Sequence, residues 1–322
     1  VPRFRTTAED TARLRDGLRY LPQAADGDSR DDSPTSRRER EGASMTTTVE
    51  PKHQTVTING LALHYVDYGT PRADAPAMVI LHGLTSSWGT LRRVAEHFAP
   101  SFRVIGLDQR GHGESEWGPA DRYDTDTYLS DLEQFVDGLG LDRFVLIGQS
   151  MGGHHTIAYT ARHPERIIAA IANDIPPALD TSTFDFSTQY PEGKHKRFAS
   201  TGEWLAPRRE SSPLTPDWAH ALAVAELLRE VDGGYEPKHD PNAPMKWAPK
   251  DLWDEAKTIT RPILFIRGGR SNVLSAQVLQ DMDMAIPMAR SITLEKAGHS
   301  TYWDMEHEWL TIATAFLDAH TA

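Results

Sequence analysis

A five-residue run, Gly148-Gln149-Ser150-Met151-Gly152, constrains this chain more than any other segment, because it follows directly on the apolar stretch Phe144-Val145-Leu146-Ile147. Such a stretch reads as a buried strand, and the run from Ile157 to Arg162 beyond it reads as a helix. Ser150 then sits at the apex of a sharp strand-to-helix turn. A strained backbone there aims the hydroxyl out of the sheet, and the flanking glycines let strand and helix approach closely. The backbone N–H of Met151 falls at the helix N-terminus, where it can stabilise a developing oxyanion.

The segments around this turn alternate strand with helix. Gln54–Ile58 and Leu61–Tyr68 flank Asn59-Gly60, a two-residue hairpin signal. The strand Met78–Leu81 leads to a helix near Leu91–Phe98, and Val104–Leu107 leads to helical periodicity over Tyr128–Leu139. A strand over Ile167–Ala172 follows the Ser150 helix. The alternation then stops, resuming at Ile263–Ile266 with a helix near Ala276–Met284, a strand at Ile292–Leu294 and a final helix over Glu306–Leu317. A hairpin followed by strand–helix units predicts an α/β domain with a mostly parallel sheet covered on both faces. Residues 45–175 and 259–322 are expected to form this core.

The interruption, 176–258, is rich in Pro, Trp and charge, with a helical stretch near Asp217–Glu230. It is expected to form a mainly helical cap over the carboxyl ends of the strands. Its aromatics are Phe184, Phe186, Tyr190, Trp204, Trp218, Tyr235, Trp247 and Trp253, and more than half should form the cap's own small core. Residues 1–44 are dominated by Arg, Asp and Glu and have little to bury, so a disordered extension is expected, with Met45 as the natural start. Arg37-Arg38 is followed by no apolar segment, which argues against an export signal.

Acidic residues outnumber basic ones, 46 to 34, for a formal charge of −12 with no basic stripe, so nucleic acid is an unfavourable partner. No apolar run reaches the roughly 18 residues that a membrane span requires. The chain has no cysteine, which removes disulfides, thiolate metal sites and a cysteine nucleophile and fits a cytoplasmic protein. No metal-ligand spacing or phosphate-binding loop is evident, so neither metal nor cofactor is expected and the partner is a small-molecule substrate.

A serine nucleophile needs a base, and the base needs an orienting group. His299, in Gly298-His299-Ser300, lies between the last predicted strand and the last helix and is the expected base. His154 and His155, one helical turn past Ser150, and His112, in a loop, read as packing residues. For the oxyanion the second donor is expected to be the backbone N–H of Leu84, in Leu81-His82-Gly83-Leu84, paired with that of Met151. His82 is expected to support the loop.

These pieces, with Gly106-Leu107-Asp108-Gln109-Arg110-Gly111-His112-Gly113-Glu114-Ser115 between them, resemble the α/β-hydrolase superfamily in content and order over about residues 53–320. The resemblance implies the α/β-hydrolase fold and reads Asp108, Arg110 and Ser115 as structural. A serine at the turn sets the chain apart from epoxide hydrolases and haloalkane dehalogenases, which resemble this fold but use an aspartate there. Proline iminopeptidases carry a Gly-Pro-Gly loop that the sequence after His82-Gly83 lacks.

The third triad member departs from the common pattern. Most relatives place an aspartate after the strand matching 263–266, and Asn272 stands there, in Arg267-Gly268-Gly269-Arg270-Ser271-Asn272. An amide oxygen can accept a proton from His299 but cannot stabilise an imidazolium; in an established triad the exchange costs about 10⁴ in turnover. Asp174 ends the preceding strand, in Ala172-Asn173-Asp174. The chain is similar in this respect to subfamilies that carry the acid there, among them certain lactone hydrolases and an amide hydrolase of vitamin B6 breakdown. Asp174 is the expected acid, with Asn272 as a weak orienter or a degenerate triad as alternatives. The expected activity is cofactor-free hydrolysis of a carboxylic ester or lactone, or an amide, of a mid-sized, partly apolar substrate. Alternatives are carbon–carbon bond hydrolysis of a dienoic diketone and ligand binding without catalysis.

Overall fold

Eight strands form one sheet, in the order Lys52–Ile58, Leu61–Asp67, Arg103–Leu107, Ala77–Leu81, Phe144–Gln149, Ile167–Asn173, Ile263–Gly268 and Ala289–Leu294. A computed structural model describes residues 50–179 and 194–321. The strands are β1 (Lys52–Ile58), β2 (Leu61–Asp67), β3 (Ala77–Leu81), β4 (Arg103–Leu107), β5 (Phe144–Gln149), β6 (Ile167–Asn173), β9 (Ile263–Gly268) and β10 (Ala289–Leu294). β1 pairs antiparallel with β2, and β2 antiparallel with β4, while every pair from β4 to β10 is parallel. Asn59 and Gly60 both take positive φ (49° and 80°), which is how the two-residue hairpin turn is made.

The helices of the core are α1 (Arg92–Phe98), α2 (Thr125–Gly138) and α3 (Met151–Arg162). Between β6 and β9 the chain adds α4 (Thr201–Ser211), α5 (Asp217–Leu227), a hairpin of β7 (Leu228–Val231) and β8 (Gly234–Pro237), α6 (Asn242–Lys246) and α7 (Trp253–Ala256). The remaining helices are α8 (Ala276–Ala285), α9 (Thr301–Asp304) and α10 (Glu306–Thr321). The central strands are apolar on both faces because helices cover both: β5 is buried at all six positions. One core joins Leu146, Ile157, Ala170 and Phe265, and the opposite one joins Val145, Ile147, Trp309 and Phe316. No helix among the described residues is long and apolar enough to cross a membrane.

One expectation about the insertion changes. The helix expected to reach Glu230 ends at Leu227, because Leu228–Val231 pairs with Gly234–Pro237 instead. Gly233 and Gly234, at φ of 83° and 145°, make the tight turn that permits this pairing. The aromatics also divide their work. Trp204 and Tyr235 pack together with Ala223 and Leu228, Trp253 joins the sheet's core, and Trp247 packs beside Met151. The expected 1–44 extension, and Phe184, Phe186 and Tyr190, lie outside the described residues.

Candidate active site

Ser150 stands between β5 and α3 with φ of 51° and ψ of −116°, a sparsely populated conformation that costs about 1–3 kcal/mol. The turn is possible only because of two glycines. A Cβ on Gly148 would lie 2.1 Å from the carbonyl oxygen of Gly152, and one on Gly152 would lie 2.4 Å from that of Leu81. The backbone is fixed by Ser150 N–H donating to Asn173 O (2.9 Å) and His154 N–H donating to Ser150 O (2.8 Å). Ser150 occupies the N-cap position, yet its hydroxyl makes no capping bond and faces a cavity instead.

That cavity has a volume of about 240 Å³ and is lined by Leu84, Thr85, Ser150, Leu179, Trp247, Val273 and His299. Gly83 lies against the turn, since a Cβ there would come 3.3 Å from Ser150 Cβ. Thr85, at φ of 61°, turns the loop so that Leu84 reaches the cavity wall. Leu84 thus lines the same cavity as Ser150, and Met151 follows Ser150 as the first residue of α3. The Met151 side chain anchors this corner, buried with Tyr123, Tyr128 and Ala243, with Leu84 and Trp247 packed against them.

His299 lies in the loop between β10 and α9, with its side chain 37% exposed. Its Nδ1 donates to Asp174 Oδ2 at 2.6 Å. Asp174 is fully buried and, at φ of 49°, turns out of β6 just past its last residue. Its Oδ1 accepts from Gly268 N–H (2.9 Å), and Oδ2 accepts also from the Ser271 hydroxyl. Three donors thus converge on one carboxyl, and with Nδ1 donating to it His299 presents Nε2 as an acceptor. Asn272 is exposed and makes no hydrogen bond to His299 among the described residues. The structure brings Ser150 and His299 to one cavity and joins Asp174 to His299, leaving position 272 outside the constellation.

Two further sets of residues were not read from the sequence. Ser271, which braces Asp174, also accepts from Val273 N–H (3.1 Å), so it pins the loop that carries the cavity wall. Beneath the site runs a chain of buried amides. Gln149 Nε2 donates to His299 O (3.2 Å), and Gln149 Oε1 accepts from Asn173 Nδ2. Asn173 Oδ1 in turn accepts from Thr301 Oγ1 (2.5 Å) and Trp309 Nε1 (2.8 Å). Gln149 precedes Ser150 and Asn173 precedes Asp174, so the network ties the ends of β5 and β6 to the loop of His299. The signal available in the sequence was a pair of amides ending otherwise apolar strands.

The other histidines hold the scaffold. His82 Nδ1 donates to Gly83 O (2.8 Å), and its Nε2 accepts from Gln109 N–H (3.0 Å). His155 Nδ1 donates to Gln109 Oε1 (2.7 Å), and His112 Nδ1 donates to Arg110 O (2.8 Å). Burial holds all three below the ordinary histidine range, His112 at about 3, so they are neutral at pH 7. Asp108 accepts from Trp88 N–H and His64 Nδ1, both at 2.8 Å, while Ser115 donates to Asp108 O (2.5 Å). Arg110 makes a buried two-pronged pair with Asp131. No group of three or more His, Cys, Asp or Glu among the described residues is placed to hold a metal ion.

The sheet order, the serine turn and the histidine loop after the last strand define an α/β hydrolase. Residues 76–305 match the family described as alpha/beta hydrolase fold, and the chain belongs to that family. It is 25% identical over 251 residues to a 2-(acetamidomethylene)succinate hydrolase of Mesorhizobium japonicum, covering 77% of this chain and 90% of that protein. It is 28% identical over 228 residues to an esterase of Escherichia coli, covering 69% and 85%. A crystal structure of an E-2-(acetamidomethylene)succinate hydrolase superposes with a TM-score of 0.75 at 24% identity, over 84% of this chain and 100% of that one.

Proposed function

We propose that the chain is a cofactor-free serine hydrolase that cleaves a carboxylic ester or lactone of a small, partly apolar molecule through an acyl-enzyme. The observation that carries the reading is the bond between the buried Asp174 carboxyl and His299 Nδ1, at 2.6 Å, beside a strained serine that opens on the same cavity. Ser150 Oγ attacks the carbonyl carbon while His299 Nε2 takes its proton. The N–H groups of Leu84 and Met151 hold the oxyanion, and Asp174 stabilises the imidazolium. As the tetrahedral adduct collapses, the C–O bond to the leaving alkoxide breaks and His299 returns the proton to it. Water then gives its proton to His299 and its oxygen to the acyl carbon, releasing the acid and restoring Ser150.

The insertion, through Trp247, supplies part of the cavity wall and so acts as the cap. Labelling with a serine-reactive fluorophosphonate under native conditions, in wild type and Ser150→Ala, tests the proposal together with turnover of 4-nitrophenyl esters. Labelling and turnover lost together in Ser150→Ala are expected. A wild-type protein that takes no label and turns over no ester would overturn it in favour of ligand binding.

A further inference from the structure

We propose that Asp304 is a positioning residue that ties the insertion to the general base, a conclusion that rests on the serine-hydrolase reading above. One carboxyl spans the two. Its Oδ2 accepts from Gly298 N–H (2.7 Å), the amide just before His299, and its Oδ1 accepts from the hydroxyl of Thr215 (2.8 Å), in the insertion. Gly298 lies so close that a Cβ there would come 3.2 Å from Oδ2. On the other side of the loop Gln149 Nε2 donates to His299 O (3.2 Å). Asp174 fixes the ring of His299, and these two bonds fix the backbone that carries it.

Both ends of the bridge are firm. Asp304 closes α9, where its N–H donates to Ser300 O (3.0 Å) and the neighbouring Trp303 Nε1 donates to Thr90 O (3.0 Å). Thr215 lies between α4 and α5, its N–H donating to Ser212 O (3.1 Å), and Pro216 follows it as the N-cap of α5. Burial raises the Asp304 carboxyl above its ordinary range, and the Thr215 and Gly298 donors oppose that rise. Loss of either donor leaves part of a half-buried carboxyl without a partner, which costs more than losing a solvated hydrogen bond. A shift of the Thr215 corner would carry the acceptor of Gly298 with it and displace the imidazole that takes the Ser150 proton. A misplacement of about 1 Å can cost about 100-fold in rate.

The test compares kcat and KM for 4-nitrophenyl hexanoate in wild type, Asp304→Leu, Thr215→Val, their double variant and Asp304→Asn. Asp304→Leu is expected to lower kcat at least about tenfold and Thr215→Val about threefold, with KM within about twofold in each. In the double variant kcat should fall no further than in Asp304→Leu, because both single changes break the same bridge. Asp304→Asn should stay within about threefold of wild type, since its amide oxygen can accept from Gly298 while its NH₂ donates to the Thr215 hydroxyl. The low-field proton resonance of His299 Nδ1–H is a second readout; it should broaden by solvent exchange in Asp304→Leu and stay sharp in Asp304→Asn. A folded Asp304→Leu protein with kcat within about twofold of wild type, or a double variant whose losses multiply, would overturn the inference while Ser150 still takes a fluorophosphonate. Should Asp304→Leu not fold, Thr215→Val at wild-type kcat overturns it. A wild type that takes no label and turns over no ester overturns the serine mechanism and this inference with it.

Discussion

Replacing Asp174 by asparagine keeps the size of the side chain and changes only what it can accept, which makes the outcome calculable from the three donors around it. Gly268 N–H and the Nδ1–H of His299 approach opposite oxygens of the carboxyl, at 2.9 and 2.6 Å. An amide has one oxygen, so one of these donors must face an NH₂ group. Turning the oxygen toward His299 strands the Gly268 N–H against another donor in a fully buried position, at a cost of about 1–3 kcal/mol. Turning it toward Gly268 places the NH₂ against His299, and the imidazole can answer by moving its proton to Nε2. Ser271 can rotate its hydroxyl to suit either arrangement, but the backbone of Gly268 cannot move, so the second orientation wins. It leaves Nε2 protonated and unable to take the proton of Ser150. The expected loss in kcat is about 10⁴-fold, or about 5 kcal/mol of transition-state stabilisation, with KM little changed. The assay is steady-state hydrolysis of 4-nitrophenyl hexanoate, with Asn272→Asp measured beside it. That exposed position should alter kcat by no more than about threefold. An Asp174→Asn variant retaining over about a tenth of wild-type kcat, or an Asn272→Asp variant orders of magnitude faster, would refute the assignment of the acid.

Other perturbations reach the scaffold. Gln149→Leu removes the bond to His299 O and leaves Asn173 Nδ2 unpaired; kcat should fall about tenfold with KM within about twofold, and an unchanged kcat would show that the amide chain does not position the base. Arg110→Ala leaves Asp131 buried without its cation, with Asn59 Nδ2 (2.8 Å) still donating to it, which should cost about 3 kcal/mol in urea unfolding. Burial holds His112 at about 3 and His154 at about 4, below the 6.5 of an unfolded chain. Because the unfolded state takes up the proton first, their contribution is complete above pH 6.5 and is lost as pH falls toward 4. Each removes about 1.4 kcal/mol of stability per pH unit in that window. Urea midpoints between pH 7.5 and 5 measure this, and a flat profile would contradict the buried neutral rings.

Much of the site could be read from the sequence because its chemistry depends on short local patterns. An apolar strand ending in a serine between two glycines leaves the backbone few alternatives, and the close approaches at Gly148 and Gly152 are the physical reason. Asp174 stood out because it ends a strand where, by resemblance, certain lactone and amide hydrolases carry the acid. Ser271 did not, since a hydroxyl in a loop has no periodicity and its partner lies 97 residues away in the chain. The amide chain through Gln149 and Asn173 escaped for the same reason. The β7–β8 hairpin was missed although Asp232-Gly233 announces it. The run Asp217–Glu230 has good helix-forming composition throughout, and strand pairing overrides that preference after Leu227.

The register of the sheet also has a bearing on how this scaffold can change. Ser150 and Asp174 follow neighbouring strands, and Gly148 pairs with Ala172 and Gln149 with Asn173. The spacing of Ser150 and Asp174 is therefore set by the ladder, and no loop has to maintain it. The loop after β9 is correspondingly released. It owes the site only the Gly268 N–H and the Ser271 hydroxyl, while Asn272 faces solvent and Val273 touches the cavity. Mutational drift or directed libraries at 272 and 273 could therefore retune what enters the pocket while leaving the bond between His299 and Asp174 intact.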